Sequence, residues 1–148
     1  MPSDAHHSSK ITARAVPGIL PEFRSHVLQC ASRAGASAAQ LTRIELAFEE
    51  ALMNVCTHAY PEKTGTVSVD CFTKREKTGA PLFCVRLTDH GEPFNPLEHT
   101  PRPTPADMNS RTPGGMGIVL LQRMVDQADY FRTDTANCMI LCFSLSVR

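Results

Sequence analysis

The chain is predicted to fold as an α+β two-layer sandwich, with helices on one face of a mainly antiparallel sheet. Three observations carry this. Two long segments near the start repeat their apolar residues at helical intervals. Five segments, two of them joined by a short charged turn, read as strands. The element order, β-α-α-β-β-loop-α-β-β, lacks the regular strand–helix alternation of a parallel sheet.

The elements follow in order. "MPSDAHHSSK" is polar, and residues 1–9 are expected to be a flexible tail to which His6 and His7 belong; residues 10–148 form the domain. "KITARAV" alternates as a short edge strand does, and Pro17 and Gly18 punctuate it. A helix is predicted from about Leu20 to Ala34, with Phe23, Val27, Leu28 and Ala31 on its apolar side and Gly35 ending it. Ser37 is placed to cap a second helix, in which Leu41, Ile44, Phe48, Leu52, Val55 and Ala59 recur at helical spacing until Pro61 and Gly65. "TVSVDCFTK" and "PLFCVRLTD", joined by "REKTGA", read as a hairpin.

From about 91 to 113 periodicity disappears, and Pro93, Pro96, Pro101, Pro103, Pro105 and Pro113 punctuate the segment. A structureless loop this long inside a compact domain tends to be functional, which makes it a lid candidate. "TPGGMGIVLLQRMVDQ" then runs from glycines into a helix with Ile118, Leu121, Met124 and Val125 as its buried stripe. "ADYFRT" and "CMILCFSLSV" supply two closing strands.

Composition narrows the function. The 148 residues are 42% hydrophobic and 20% charged, enough for one domain with a substantial core. Fifteen basic and fifteen acidic residues cancel, so no bulk field holds the protein to nucleic acid or to an anionic membrane. No apolar run reaches the ~18 residues of a membrane span, and a cytoplasmic protein is expected. The six cysteines, at 30, 56, 71, 84, 138 and 142, form no C-x-x-C pair, lack the short-spaced Cys or His pairs usual in a zinc site, and read as small buried hydrophobes in a reducing compartment, with disulfide or metal use the minor alternative.

Three constellations could carry chemistry. Glu50 and Asn54, four apart, share one helix face, and His58 extends the line by a turn. An Asn carbonyl oxygen can ligate Mg²⁺ beside phosphate oxygens and water, and a carboxylate one turn earlier can deprotonate an attacking hydroxyl. Taken alone, the pair fits a solvated helix face better. In "LTDHGEP", Asp89 ends a strand where a carboxylate can accept from an exocyclic amine, with Gly91 admitting a ring close to the backbone. A D-x-G turn closing the strand is the other reading. The glycines at 114, 115 and 117 match neither the P-loop nor G-x-G-x-x-G, yet N–H groups at a glycine-rich helix start suit anions; a plain loop-to-helix entry is the alternative.

Together, "EEALMNVCTHAY", "DHGEPFNP" and "GGMGIVLLQRMVD" resemble, in this order, the N box and the two glycine boxes of the ATPase superfamily shared by DNA gyrase, the heat-shock chaperone of that fold, histidine kinases and MutL. The resemblance is strongest to its anti-sigma-factor serine/threonine kinases of the RsbW and SpoIIAB type, and covers about Ser37 to the end. It implies the Bergerat ATP-binding fold and the cofactors ATP and Mg²⁺. Residue by residue it implies Glu50 as general base, Asn54 as magnesium ligand, Asp89 with Gly91 at adenine, and Gly115 and Gly117 against the phosphates. The proline-rich loop would be an ATP lid, and Arg111 in it lies, with a shifted register, near a phosphate-contacting arginine of such kinases.

His58 matches a histidine of the N box and is assigned to packing and the helix C-terminus, without a catalytic role. The family's Gly-Thr ahead of the last strand is replaced here by Asn137 and Cys138. The function so implied is phosphorylation of a STAS-type anti-anti-sigma factor and sequestration of a sigma factor. The alternative is an ATP-binding partner switch that transfers no phosphate. Histidine kinase activity is disfavoured, because no helical hairpin with a phospho-accepting histidine is found. Dimerisation is also implied by the resemblance and is compatible with the N-terminal edge strand; neither nucleic acid nor membrane is an expected partner.

Overall fold

The computed structural model describes residues 9–60, 65–97 and 121–146. The chain begins with strand β1 (Ser9–Arg14) and passes through a 3-10 turn, Pro17–Ile19, into helices α1 (Leu20–Arg33) and α2 (Ala38–His58). Strands β2 (Thr66–Arg75), β3 (Pro81–Asp89), β4 (Gln127–Arg132) and β5 (Asn137–Ser144) follow. All strand pairs are antiparallel, in the order β1-β2-β3-β5-β4. The α+β architecture expected from sequence is the one observed.

Local chemistry explains the helix ends. Gly35 takes φ of 100°, a left-handed conformation that closes α1 without a β-carbon penalty. Ser37 caps α2 in a reciprocal box: its Oγ accepts from the Gln40 N–H at 3.2 Å, and its own N–H donates to Gln40 Oε1 at 2.7 Å. In the β2–β3 hairpin the turn relies on Gly79, at φ of 90°.

The core forms where α1 and α2 cover one face of the sheet. Phe23, Val27 and Ala31 from α1 and Ile44, Phe48 and Leu52 from α2 are buried against Val67 and Val69 of β2, Phe83, Val85 and Leu87 of β3, and Leu141 and Phe143 of β5. Strand alternation assigns these residues to the inner face and Cys84, Cys142 and Ile140 to the outer one. Residues 121–124 form a helical turn in which Leu121 is buried, with Met124 and Val125 packed beside it; Ile118 lies outside the described residues. Among the described residues, no helix is long and apolar enough to cross a membrane.

One expectation is corrected. The sequence predicts six free thiols, but Cys84 and Cys142 form a disulfide, leaving Cys30, Cys56, Cys71 and Cys138 free. The β3–β5 register sets Cys84 directly opposite Cys142, with Cα atoms 4.2 Å apart. Two cysteines 58 positions apart reveal this only once the register is known.

Candidate functional site

A cleft opens where the C-terminal half of α2 meets the end of β3 and the start of β5. Val55, Ala59, Leu87 and Met139 give it apolar walls; Phe94 and Pro96 stand at one side, and Asn54, Asp89, Tyr130 and Asn137 bring polar groups to it. An apolar cavity with a few fixed polar groups is the common form of a small-molecule site.

Asp89 is the last residue of β3 and shares the inner face with Val85 and Leu87, so the pleat turns its carboxylate inward at 6% exposure. Two donors hold it, the Gly91 N–H and Asn137 Nδ2, each at 2.9 Å from Oδ1. Among the described residues Oδ2 receives neither donor.

Asn137 stands out in the sequence only as a departure from a family pattern. The register sets it opposite Asp89, and its amide is the hub of the cleft. Nδ2 donates to Asp89 and, at 2.8 Å, to the Glu92 carbonyl, while Oδ1 accepts from the Phe94 N–H at 3.3 Å and from the Tyr130 hydroxyl. Cys138 faces the other way, its sulfur 3.8 Å from Thr88 Oγ1. The alternation of "NCMILCF" already puts Asn137 on the face of Met139 and Leu141; missing from the sequence is the partner strand.

Gly91 is required by close approach. A β-carbon there would overlap the backbone carbonyl of Ala59, next to which the Glu92 N–H donates to Ala59 O at 3.3 Å. The Gly91 carbonyl accepts from Arg132 Nη1 at 2.8 Å. The His90 N–H donates to the Tyr60 hydroxyl at 2.8 Å, which donates in turn to the Thr66 carbonyl at 2.7 Å. The end of α2 and the end of β3 are thus bound to each other through backbone contacts and the Tyr60 hydroxyl.

Asn54 lines the same cleft at 7% exposure, and its Nδ2 has no hydrogen-bond partner among the described residues. A buried amide without a partner is costly in a folded protein and calls for an outside group. Glu50, one turn earlier on the same line, is half-buried. Its neighbour Glu49 points elsewhere, accepting from Arg24 Nη1 of α1 at 2.7 Å. That hydrogen bond, opposed in part by desolvation, raises the affinity of the Arg24 guanidinium for its proton. His58 stacks on Phe94 with ring centroids 5.4 Å apart, the packing role expected of it.

The structure therefore brings Asn54 and Asp89 to one cleft, with Gly91 packed on Ala59 beside it and Glu50 a turn away on α2. Arg111, Gly115 and Gly117 lie outside the described residues, as does the lid segment beyond residue 97.

Comparison with known proteins bears on the family and the fold. The histidine kinase-like ATPase domain matches residues 13–143. The crystal structure of the RsbU and RsbW domains of Rv1364c from Mycobacterium tuberculosis superposes with a TM-score of 0.58 at 15% identity, over 92% of this chain and 32% of that one. At that identity the likeness speaks for the fold alone, and this chain spans about a third of the length of that protein. No curated protein matches the sequence. With its match extending from β1 to β5 around the cleft, the chain belongs to the histidine kinase-like ATPase domain family.

Proposed function

We propose that the protein is an Mg-ATP-dependent serine/threonine kinase and anti-sigma factor that phosphorylates a STAS-type anti-anti-sigma protein and, in its other state, sequesters a sigma factor. The observation that carries the reading is the unpartnered Asn54 amide, buried in the same cleft as the Asp89 carboxylate. The family implies ATP, and the donor set fits it. Asp89 Oδ2 would accept from the adenine amine, with Gly91 next to it holding the end of β3 against Ala59. Asn54 would turn its carbonyl oxygen to the magnesium ion and its Nδ2 to a bound water or phosphate oxygen.

Bound Mg²⁺ would offset charge on the phosphates. Glu50 would accept the proton of the substrate hydroxyl. Glu49, next in sequence, is a poorer base because its carboxylate is already committed to Arg24. Gly115 and Gly117 would lend N–H groups to the phosphates, and Arg111 would add a cationic contact from the lid. The fold likeness to about a third of the chain that holds the RsbU and RsbW domains of Rv1364c is in keeping with the partner-switching part of the reading.

The test has two steps. Calorimetric titration with ATP should show binding that requires magnesium and weakens in Asn54→Ala. Incubation with labelled ATP and a STAS-domain partner should then transfer phosphate to a serine or threonine, and Glu50→Ala should bind ATP yet transfer none. Binding without transfer in the wild type would identify a non-catalytic switch; absence of binding would overturn both readings.

A further inference from the structure

A second group of chemistry-bearing residues lies outside the cleft. His26 and Cys30 are one turn apart on α1 and share a face. Cys71 projects inward from β2, where its register partner on β1 is Ser9. One ligand atom from each of His26, Cys30 and Cys71 lies within 4.8 Å of the other two. The His26 Nε2 to Cys30 Sγ distance is 3.9 Å, and the same nitrogen is 3.2 Å from both the hydroxyl and the carbonyl oxygen of Ser9.

Packing alone accounts for a buried thiol, since cysteine behaves as a small hydrophobe. It does not account for two thiols and an imidazole converging with an oxygen beside them. In a tetrahedral zinc site, bonds of about 2.3 Å to sulfur and about 2.0–2.1 Å to nitrogen hold the donors roughly 3.4–3.8 Å apart. The three atoms here need to contract by at most about 1.4 Å to meet that spacing. Two sulfurs with one imidazole form a soft donor set suited to zinc and unsuited to Mg²⁺ or Ca²⁺. Cys71 is 2% exposed, whereas His26 and Cys30 are half-buried and give an ion a way in.

We propose that His26, Cys30 and Cys71 form a zinc-binding site that ties α1 to the β1–β2 edge of the sheet, with Ser9 Oγ or a water at the fourth corner. Each thiol releases its proton to solvent as its sulfur bonds the metal, and the imidazole binds in its neutral form. The site is independent of the nucleotide cleft. Cys71 is four residues along β2 from Val67, the partner of Asp89, a separation of about 13 Å.

The full-length protein, with its free thiols reduced, is titrated with Co(II) and then with Zn(II) in competition, following sulfur-to-cobalt charge-transfer absorption. A single equivalent of Co(II) should give the band, and Zn(II) should erase it. Cys30→Ser and Cys71→Ser should lose it, His26→Gln should weaken Co(II) binding by at least about tenfold, and Cys56→Ser should behave as wild type. Cys30 and His26 are half-buried, so their variants keep the test decisive even if Cys71→Ser fails to fold. Circular dichroism checks the fold of each. No charge-transfer band in the wild type, or an undiminished band in folded Cys30→Ser, would overturn the proposal.

Discussion

The Asn137→Asp substitution tests the organisation of the cleft with almost no change of shape. It replaces the donor Nδ2 by an oxygen at a position 5% exposed. That oxygen would face Asp89 Oδ1 and the Glu92 carbonyl, the two acceptors Nδ2 serves at 2.9 and 2.8 Å. Loss of a hydrogen bond to a charged group costs about 1.5–3 kcal/mol and of one to a neutral carbonyl about 0.5–1.5 kcal/mol, so about 2–4.5 kcal/mol is at stake. For a domain of this size that lowers the Tm by about 4–18 °C. The loss should depend on pH, because two adjoining buried carboxylates resist ionising together and the new carboxyl holds its proton above the ordinary range. When protonated it can donate to Asp89 much as the amide does. A group whose folded-state pKa is raised contributes its stability below the unfolded pKa and loses it as pH rises through the folded one. The Tm deficit relative to wild type should therefore be greatest at neutral pH and shrink toward pH ~4, near the ordinary aspartate value. Differential scanning calorimetry of both proteins across that range provides the assay. A neutral-pH deficit under about 2 °C, less than a single kcal/mol predicts, or one that does not shrink on acidification, would refute the reasoning.

Other substitutions probe separate contacts. Gly91→Ala should lower stability by about 1–3 kcal/mol, because the new methyl meets backbone that cannot rotate away; chemical denaturation showing wild-type stability would mean that the Ala59–Gly91 approach is looser than it stands here. Glu49→Ala should cost at most about 1 kcal/mol, since its pair with Arg24 is partly exposed, and should leave phosphoryl transfer intact where Glu50→Ala abolishes it. Equal loss of transfer in both would remove the distinction between the two glutamates. Replacing both Cys84 and Cys142 by Ser should cost about 2–4 kcal/mol, as expected for a bridge closing a 58-residue separation. Non-reducing peptide mapping that found no peptide linking these two cysteines would refute the pairing.

Elements whose signal is local were legible in the sequence. Ser37 followed by Gln40 announces the α2 cap, and the apolar recurrence from Ile44 to Val55 fixes which face meets the sheet. The hairpin was legible for the same reason, because a charged turn separates two β-rich runs. What escaped depends on register, which joins residues distant along the chain. The Asp89–Asn137 pair and the Cys84–Cys142 bridge are both consequences of the β3–β5 alignment. The role of Glu49 escaped likewise, since it takes the position of Arg24 on a neighbouring helix to separate two adjacent glutamates.

The same distinction bears on how the site works. α2 delivers Glu50 and Asn54, whereas β3 delivers Asp89, and neither element alone fixes the distance between groups that would hold a metal and groups that would hold a base. The junction does so. The Glu92 N–H bonds Ala59 O, the His90 N–H bonds the Tyr60 hydroxyl, and Gly91 lies against Ala59 with no room for a side chain. A shift of β3 along its own axis would therefore pull on the last turn of α2, and through it on Asn54, which is five residues from Ala59. Gly91 thus has a structural duty: it lets two backbones approach closely enough for the cleft to keep one width. This separates Gly91→Ala from Asn54→Ala experimentally, since the first should alter stability and nucleotide affinity together, whereas the second removes a buried amide with an unpartnered nitrogen and should weaken Mg-ATP binding with little loss of Tm.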